Sequence, residues 1–249
     1  MTGAGGVYAL VFSASGWYTG RRQVRALEIT LYYNDGAVAV CRKPAGVDSE
    51  SELPALLRAG LGTAEVFCVH RLDRGVGGVM VYALTREAAA SLSEQMRAGL
   101  FRKEYLAVAH GAFGETEGTL RDLLFHDRAK NKSYVVTRRR GGVKEAALDY
   151  RVLGEAEGLS LLRIRLHTGR SHQIRVQLGS RRHPLVGDAK YGSPARECPI
   201  ALFSCALSFT HPGSGRALTF SAPPPETYPW DRFNPCHSER NEESPGSRI

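Results

Sequence analysis

Apolar positions along this 249-residue chain recur mostly with period two, and only in three stretches with the period of a helix. Residues 29–46, ITLYYNDGAVAVCRKPAG, hold two β-rich runs separated by Asn34-Asp35-Gly36 and closed by Lys43-Pro44-Ala45-Gly46. That is strand, turn, strand. Residues 68–83, CVHRLDRGVGGVMVYA, predict a strand, a glycine-rich loop and a second strand. FRKEYLAVAHGAF (101–113), KSYVVTRR, KEAALDYRVLGEAEGLSLLRIRLHTGR and ALFSCALSFTHP predict further strands joined by glycine and charged turns. TREAAASLSEQMRAG (85–99) predicts the clearest helix, capped by Thr85, with Ala89, Leu92 and Met96 as its apolar stripe. SELPALLRAGLG, capped by Ser51, and SHQIRVQLGSRRH (171–183) predict two shorter helices. The expected fold class is α+β: a large mixed, mostly antiparallel sheet flanked by two or three helices.

Charge changes the picture. The formal net charge is +8, and the excess is clustered. Arg163, Arg165, Arg170, Arg175, Arg181 and Arg182 fall in one stretch with no acid among them, and Arg138, Arg139, Arg140 and Lys144 form a second cluster. Clustered arginines point to a polyanionic partner, because each phosphate neutralised releases counterions. A nucleic acid is therefore the expected partner. No apolar run approaches the ~20 residues of a membrane-spanning helix, so no membrane partner is expected. The five cysteines are odd in number and form no C-x-x-C pair. Neither a disulfide framework nor a zinc site is expected, and reduced thiols in a cytoplasmic protein fit best. The start, MTGAGGVYALVFSASGWYTGRR, has no basic region ahead of its apolar stretch and predicts a first strand rather than a signal peptide.

Residues 70–78 pose the chemical question. Asp73 stands between Arg71 and Arg74 and is followed by Gly75, Gly77 and Gly78, with buried-strand patterns on either side. A carboxylate held among cations stays ionised, and glycines allow close approach by a ligand or another backbone. Two other segments stand out. RKEYLAVAHG places Tyr105 in a strand just after the clear helix. LHTGRSHQIRVQLGSRRHPLVGDAKYG brings a tight Thr-Gly-Arg turn, then His172, Gln173 and Arg175, then Gly187, Asp188, Lys190 and Tyr191.

Taken together, these segments resemble the RluA-type pseudouridine synthase family. Its HRLD motif, K-x-Y-x-A-x-x-x-G strand, TGR-x-HQIR segment and HP-x-x-GD-x-x-YG loop all occur here in order. DGAVAVCRKPAG near the start, and LSFTHP and FSAPPP near the end, extend the match to roughly residues 31–225. The resemblance implies the pseudouridine synthase fold and an isomerase that detaches uracil from its ribose and rejoins it through C5, with no metal and no cofactor. It implies Asp73 as the catalytic carboxylate, Arg175 as its arginine partner and Tyr105 as the active-site tyrosine that stacks on the base. Arg71 matches the arginine that fills the stack when the target nucleotide is flipped out. Leu202 matches the apolar residue under the base. Arg170 is a rival partner for Asp73, and His172 is expected to face the substrate. His70 is expected to be structural, and Asp188 with Tyr191 to hold a loop. Residues 31–232 would then be the catalytic domain. Residues 1–30 would be an N-terminal extension with one or two extra strands, leaving no room for an N-terminal S4-type RNA-binding domain. Residues 233–249 would be a disordered polar tail, with Pro223 to Pro225 marking the end of the fold. The expected substrate is a structured tRNA or ribosomal RNA and the expected state a monomer.

The chain departs from the family pattern in several places. After HRLD the family usually has two residues and then TSG; here the chain reads Arg74-Gly75-Val76-Gly77-Gly78. Two hydroxyls are missing, and the added glycine is expected to loosen the loop. Gln177 replaces a usual His, and Leu202-Phe203-Ser204 replaces a usual LHA. A non-catalytic RNA-binding or chaperone protein on the same fold is the alternative. A hydrolase is disfavoured, because no serine elbow, metal cluster or phosphate-loop glycine pattern occurs.

Overall fold

The computed structural model describes residues 7–18, 21–195 and 197–233. The predicted polar tail lies, apart from Phe233, outside the described residues. Twelve strands form one sheet. They are β1 (Tyr8–Tyr18), β2 (Arg21–Asn34), β3 (Val38–Lys43), β4 (Phe67–Cys68), β5 (Gly77–Ala83) and β6 (Arg102–His110). They continue with β7 (Glu117–Asp127), β8 (Lys132–Val136), β9 (Val143–Ala156), β10 (Leu159–Leu166), β11 (Leu202–Thr210) and β12 (Ala217–Ser221). The order is β1-β2-β3-β5-β11-β6-β10-β9-β7-β8, with β4 added to β5 and β12 to β11. β5 and β11 pair in parallel and the other named pairs are antiparallel. This is the expected mixed, mostly antiparallel α+β architecture.

Helices cover both faces at the centre. α1 (Glu52–Leu61) and α3 (Gln173–Gly179) contribute Leu53, Leu57, Ile174 and Leu178 to one core, with Met80, Tyr82 and Tyr105. α2 (Arg86–Arg97) contributes Ala88 and Leu92 to the other, with Val79, Val81 and Phe203. β5 is therefore buried on both faces, which explains its unbroken apolar run. Thr85 caps α2 by accepting from the Ala88 amide at 3.1 Å. Ser51 holds the N-cap position of α1 as expected but makes no side-chain cap bond; Asp48 instead orders the turn before it, accepting from the Glu50 and Ser51 amides.

The structure revises other expectations. Gly77 and Gly78 are not a loosened loop but buried positions of β5. Gly78 has φ +129°, and a Cβ there would lie 2.4 Å from the Ser204 carbonyl oxygen, so the parallel pairing of β5 with β11 requires glycine. Val76, in place of the family hydroxyl, is buried in the core. The fold also runs past Pro225, because Trp230 is buried against the second core. β7 and β12 were not anticipated. In GTLRDLLFHD charged side chains interrupt the apolar alternation, and the strand's half-exposed face explains why.

Candidate active site

Asp73 sits in the loop between β4 and β5. Its own carbonyl accepts from the Val76 amide at 2.9 Å, closing a tight turn. The loop is pinned from beneath by Lys43 at the end of β3. The Lys43 ammonium is fully buried and donates to the carbonyls of Pro44, Val47 and Arg74 at 3.0, 2.6 and 3.1 Å. Burial, only partly offset by nearby carboxylates, pulls the pKa of Lys43 down to about 8. Ser49 adds a second tie, donating to the Leu72 carbonyl at 3.0 Å.

The Asp73 carboxylate is met by Arg175 from the first turn of α3, with NH1 donating to Oδ2 at 2.7 Å. The same guanidinium is gripped on its other edge by Asp188, with Nε to Oδ2 at 2.6 Å and NH2 to Oδ1 at 2.8 Å. Both Arg175 and Asp188 are buried. Burial alone would disfavour the Arg175 cation, but the bonds to Asp188 and Asp73 more than offset it and raise its pKa. The bidentate grip fixes the plane of the guanidinium, so NH1 can only face Asp73.

A second relay reaches Asp73 through His172, which has a left-handed backbone (φ 54°) just before α3. The Tyr191 hydroxyl accepts from the Ser133 amide at 2.8 Å and lies 2.9 Å from His172 Nδ1. With that amide donating to the hydroxyl, the phenolic proton goes to Nδ1. In the tautomer in which Tyr191 donates to Nδ1, the ring proton is on Nε2, which lies 3.7 Å from Asp73 Oδ2, beyond hydrogen-bond distance. Burial lowers the pKa of His172 to about 4 despite the pull of Asp73, so the imidazole is neutral at pH 7. Tyr191 also lies under the Arg175 guanidinium, 5.1 Å from its ring centroid.

These groups open onto a cleft of about 550 Å³, also lined by Arg71, Tyr105, Arg170 and Leu202. The Tyr105 side chain is almost wholly buried, and burial, with Asp73 second, raises its phenol pKa, so it stays protonated. Its hydroxyl has no hydrogen-bond partner among the described residues. Asp73 is the one carboxylate lining the cleft among the described residues, against six lysines and arginines.

All seven residues singled out from the sequence line this one cleft. Asp73, Arg175 and His172 come together directly. Arg170 is not the partner of Asp73; its Nε donates to the Glu145 carbonyl at 2.9 Å. Arg71 lies at the rim, bonded to Ser171 Oγ at 2.6 Å and paired with Glu50 at 3.5 Å. His70 is structural: its Nε2 accepts from the Val81 amide at 3.2 Å inside the core. Sequence reasoning missed the orienting role of Asp188 and Tyr191. Their signal was present, since both fall in the GD-x-x-YG loop, but nothing in the chain says that this loop returns to α3. The arginine run 163–182 is not one free patch. Arg181 pairs with Asp122 at 2.9 Å and Arg163 reaches Glu104 at 4.0 Å.

A mixed sheet bearing one aspartate, aimed by a buried arginine beside a tyrosine in a basic cleft, fits the class of RNA enzyme that the sequence motifs resemble. Comparison with known proteins agrees: the family model for RNA pseudouridylate synthase matches residues 37–180. An uncharacterised RNA pseudouridine synthase of Bacillus subtilis is 32% identical over 217 residues, covering 80% of this chain and 70% of that one. Ribosomal large subunit pseudouridine synthase D of Neisseria meningitidis is 32% identical over 231 residues, covering 80% of this chain and 59% of that one. The solved structure of human RNA pseudouridylate synthase domain containing 1 shares the fold, with a TM-score of 0.69 and 23% identity, covering 80% of this chain and 84% of that one. The chain belongs to the RNA pseudouridylate synthase family and is an RNA pseudouridine synthase.

Proposed function

We propose that this enzyme isomerises one or a few uridines in a structured ribosomal or transfer RNA, with Asp73 as the nucleophile. The observation that carries the reading is the Arg175–Asp73 bond at the wall of the cleft that Tyr105 and Leu202 also line. The target uridine is flipped out of its stack, at a cost of a few kcal/mol. Arg71, at the exposed rim, occupies the space it leaves. The uracil settles between Tyr105 and Leu202. The N1–C1′ bond breaks while Asp73 holds the positive charge or the covalent position that develops at the sugar. The base turns, C5 bonds to C1′, the C5 proton leaves and N1 takes one up. Atoms balance without an oxidant or a second substrate. The Tyr105 ring stacks on the base, and its hydroxyl gives up its own proton to water in the cleft as it takes the C5 proton. The arginine-lined cleft favours a short stem-loop as the target.

A pseudouridine-specific chemical map of ribosomal and transfer RNA, from cells with and without this gene, tests the reading. Loss of modification at one or a few uridines, restored by the wild-type copy and not by Asp73→Ala, is expected. An unchanged map would sink it and leave an RNA-binding protein on an enzyme fold.

A further inference from the structure

Lys43 is fully buried and Lys103 half-buried, and the two are finished differently. Lys43 has all three donors filled by carbonyl oxygens. Lys103, in β6, has no hydrogen bond and no ion pair among the described residues. Its ammonium lies 5.2 Å from the centroid of the Phe101 ring and lines the cleft together with Val69, Met96 and Gly99. His70 and Arg102 line the cleft as well, and Asp73 is the one carboxylate in its lining among the described residues. Burial lowers its pKa to about 8, with only the Cys68 thiol opposing. A half-buried cation with no acceptor of its own is only partly solvated, and an anion entering the cleft would supply its counter-charge.

The placement says which ligand. Lys103 and Tyr105 stand two residues apart on β6, so strand alternation puts them on one face about 7 Å apart. Both line the cleft. Arg102 also lines the cleft but is exposed, so its charge is met by solvent. A uracil stacked on Tyr105 therefore brings its own sugar-phosphate backbone within reach of the Lys103 ammonium. Phe101 and Met96 offer an apolar wall beside it. We propose that Lys103 is the phosphate-binding residue of a subsite for the phosphodiester attached to the target uridine. The subsite rests on the reading of the cleft as the uridine site. A compact ammonium with free donors suits a phosphate oxygen.

Titration of the full-length protein with uridine, uridine 5′-monophosphate and uridine 3′-monophosphate, followed by calorimetry at constant ionic strength, tests this. The wild type is expected to bind one of the two monophosphates about tenfold more tightly than uridine, the size of one charge-assisted hydrogen bond. Lys103→Met, which keeps the stem over Phe101, should lose that preference and bind uridine unchanged. Lys103→Arg should keep most of it. A wild type that does not distinguish nucleotide from nucleoside overturns the subsite, with no variant needed. So does a Lys103→Met protein that retains the preference. Either failure alongside a positive RNA map refutes the subsite alone and leaves the synthase reading standing.

Discussion

Asp73 and Lys103 line the same cleft in contrasting surroundings. Around Asp73 the polar groups are already partnered: Arg175 by two carboxylates, and His172 by Tyr191. Around Lys103 a cation faces the cavity with no described partner. The first arrangement is rigid before substrate arrives, as electrostatic catalysis requires, because groups that need not reorganise stabilise developing charge best. The second is incomplete until substrate arrives, as a binding subsite requires. The difference predicts that damage near Asp73 appears in kcat and damage at Lys103 in KM.

The largest effect is expected at Asp73. Asp73→Ala should lower kcat by more than about a thousandfold and leave RNA affinity within a few-fold, measured by single-turnover assay and filter binding. Next comes Asp188→Asn. It removes one of the two charges on a buried arginine, so a loss of about 3 kcal/mol in denaturant stability is expected. It should also lower kcat about a hundredfold while KM holds, because Arg175 is then free to turn away from Asp73. Tyr191→Phe is expected to cost about tenfold in kcat, the scale of one lost orienting hydrogen bond. Nitrogen NMR should show His172 in the Nε2–H form and neutral from pH 5 upward in the wild type, and as mixed tautomers in Tyr191→Phe. A wild-type imidazolium at pH 7 would refute the relay. The smallest effect concerns pH. Lys103 loses its charge as pH rises through its depressed pKa of about 8, so the preference for uridine monophosphate over uridine should fade above that pH. Phosphate binding shifts this loss upward, because it favours the charged amine.

Much of this was legible in the chain. Asp73, Tyr105 and Arg175 were readable because each sits in a short motif. The turn at Asn34-Asp35-Gly36 was readable because Asp35 itself accepts from the Ala37 and Val38 amides at 2.9 and 3.0 Å. Asp188 was not readable as the second grip on Arg175. The two are 13 residues apart, and only the packing of the Gly187 turn against α3 closes the distance. The glycines after Asp73 misled for a related reason. The requirement for Gly78 comes from Ser204, on a strand more than a hundred residues away, and local sequence reads such a residue as loop. Lys103 was invisible as a subsite, since a lysine in a strand is ordinarily a solvated charge. It falls in the K-x-Y strand motif, but its missing partners are what mark it as a binding group.

The most direct measurement is tritium release from RNA carrying C5-tritiated uridine, prepared from cells lacking this gene and treated with the purified enzyme. Rejoining the base through C5 must expel that hydrogen. The account predicts release to a plateau matching a small whole number of uridines per RNA molecule with the wild type, and none with Asp73→Ala. Equal release by both proteins, or no release by the wild type on RNA it binds, would contradict it.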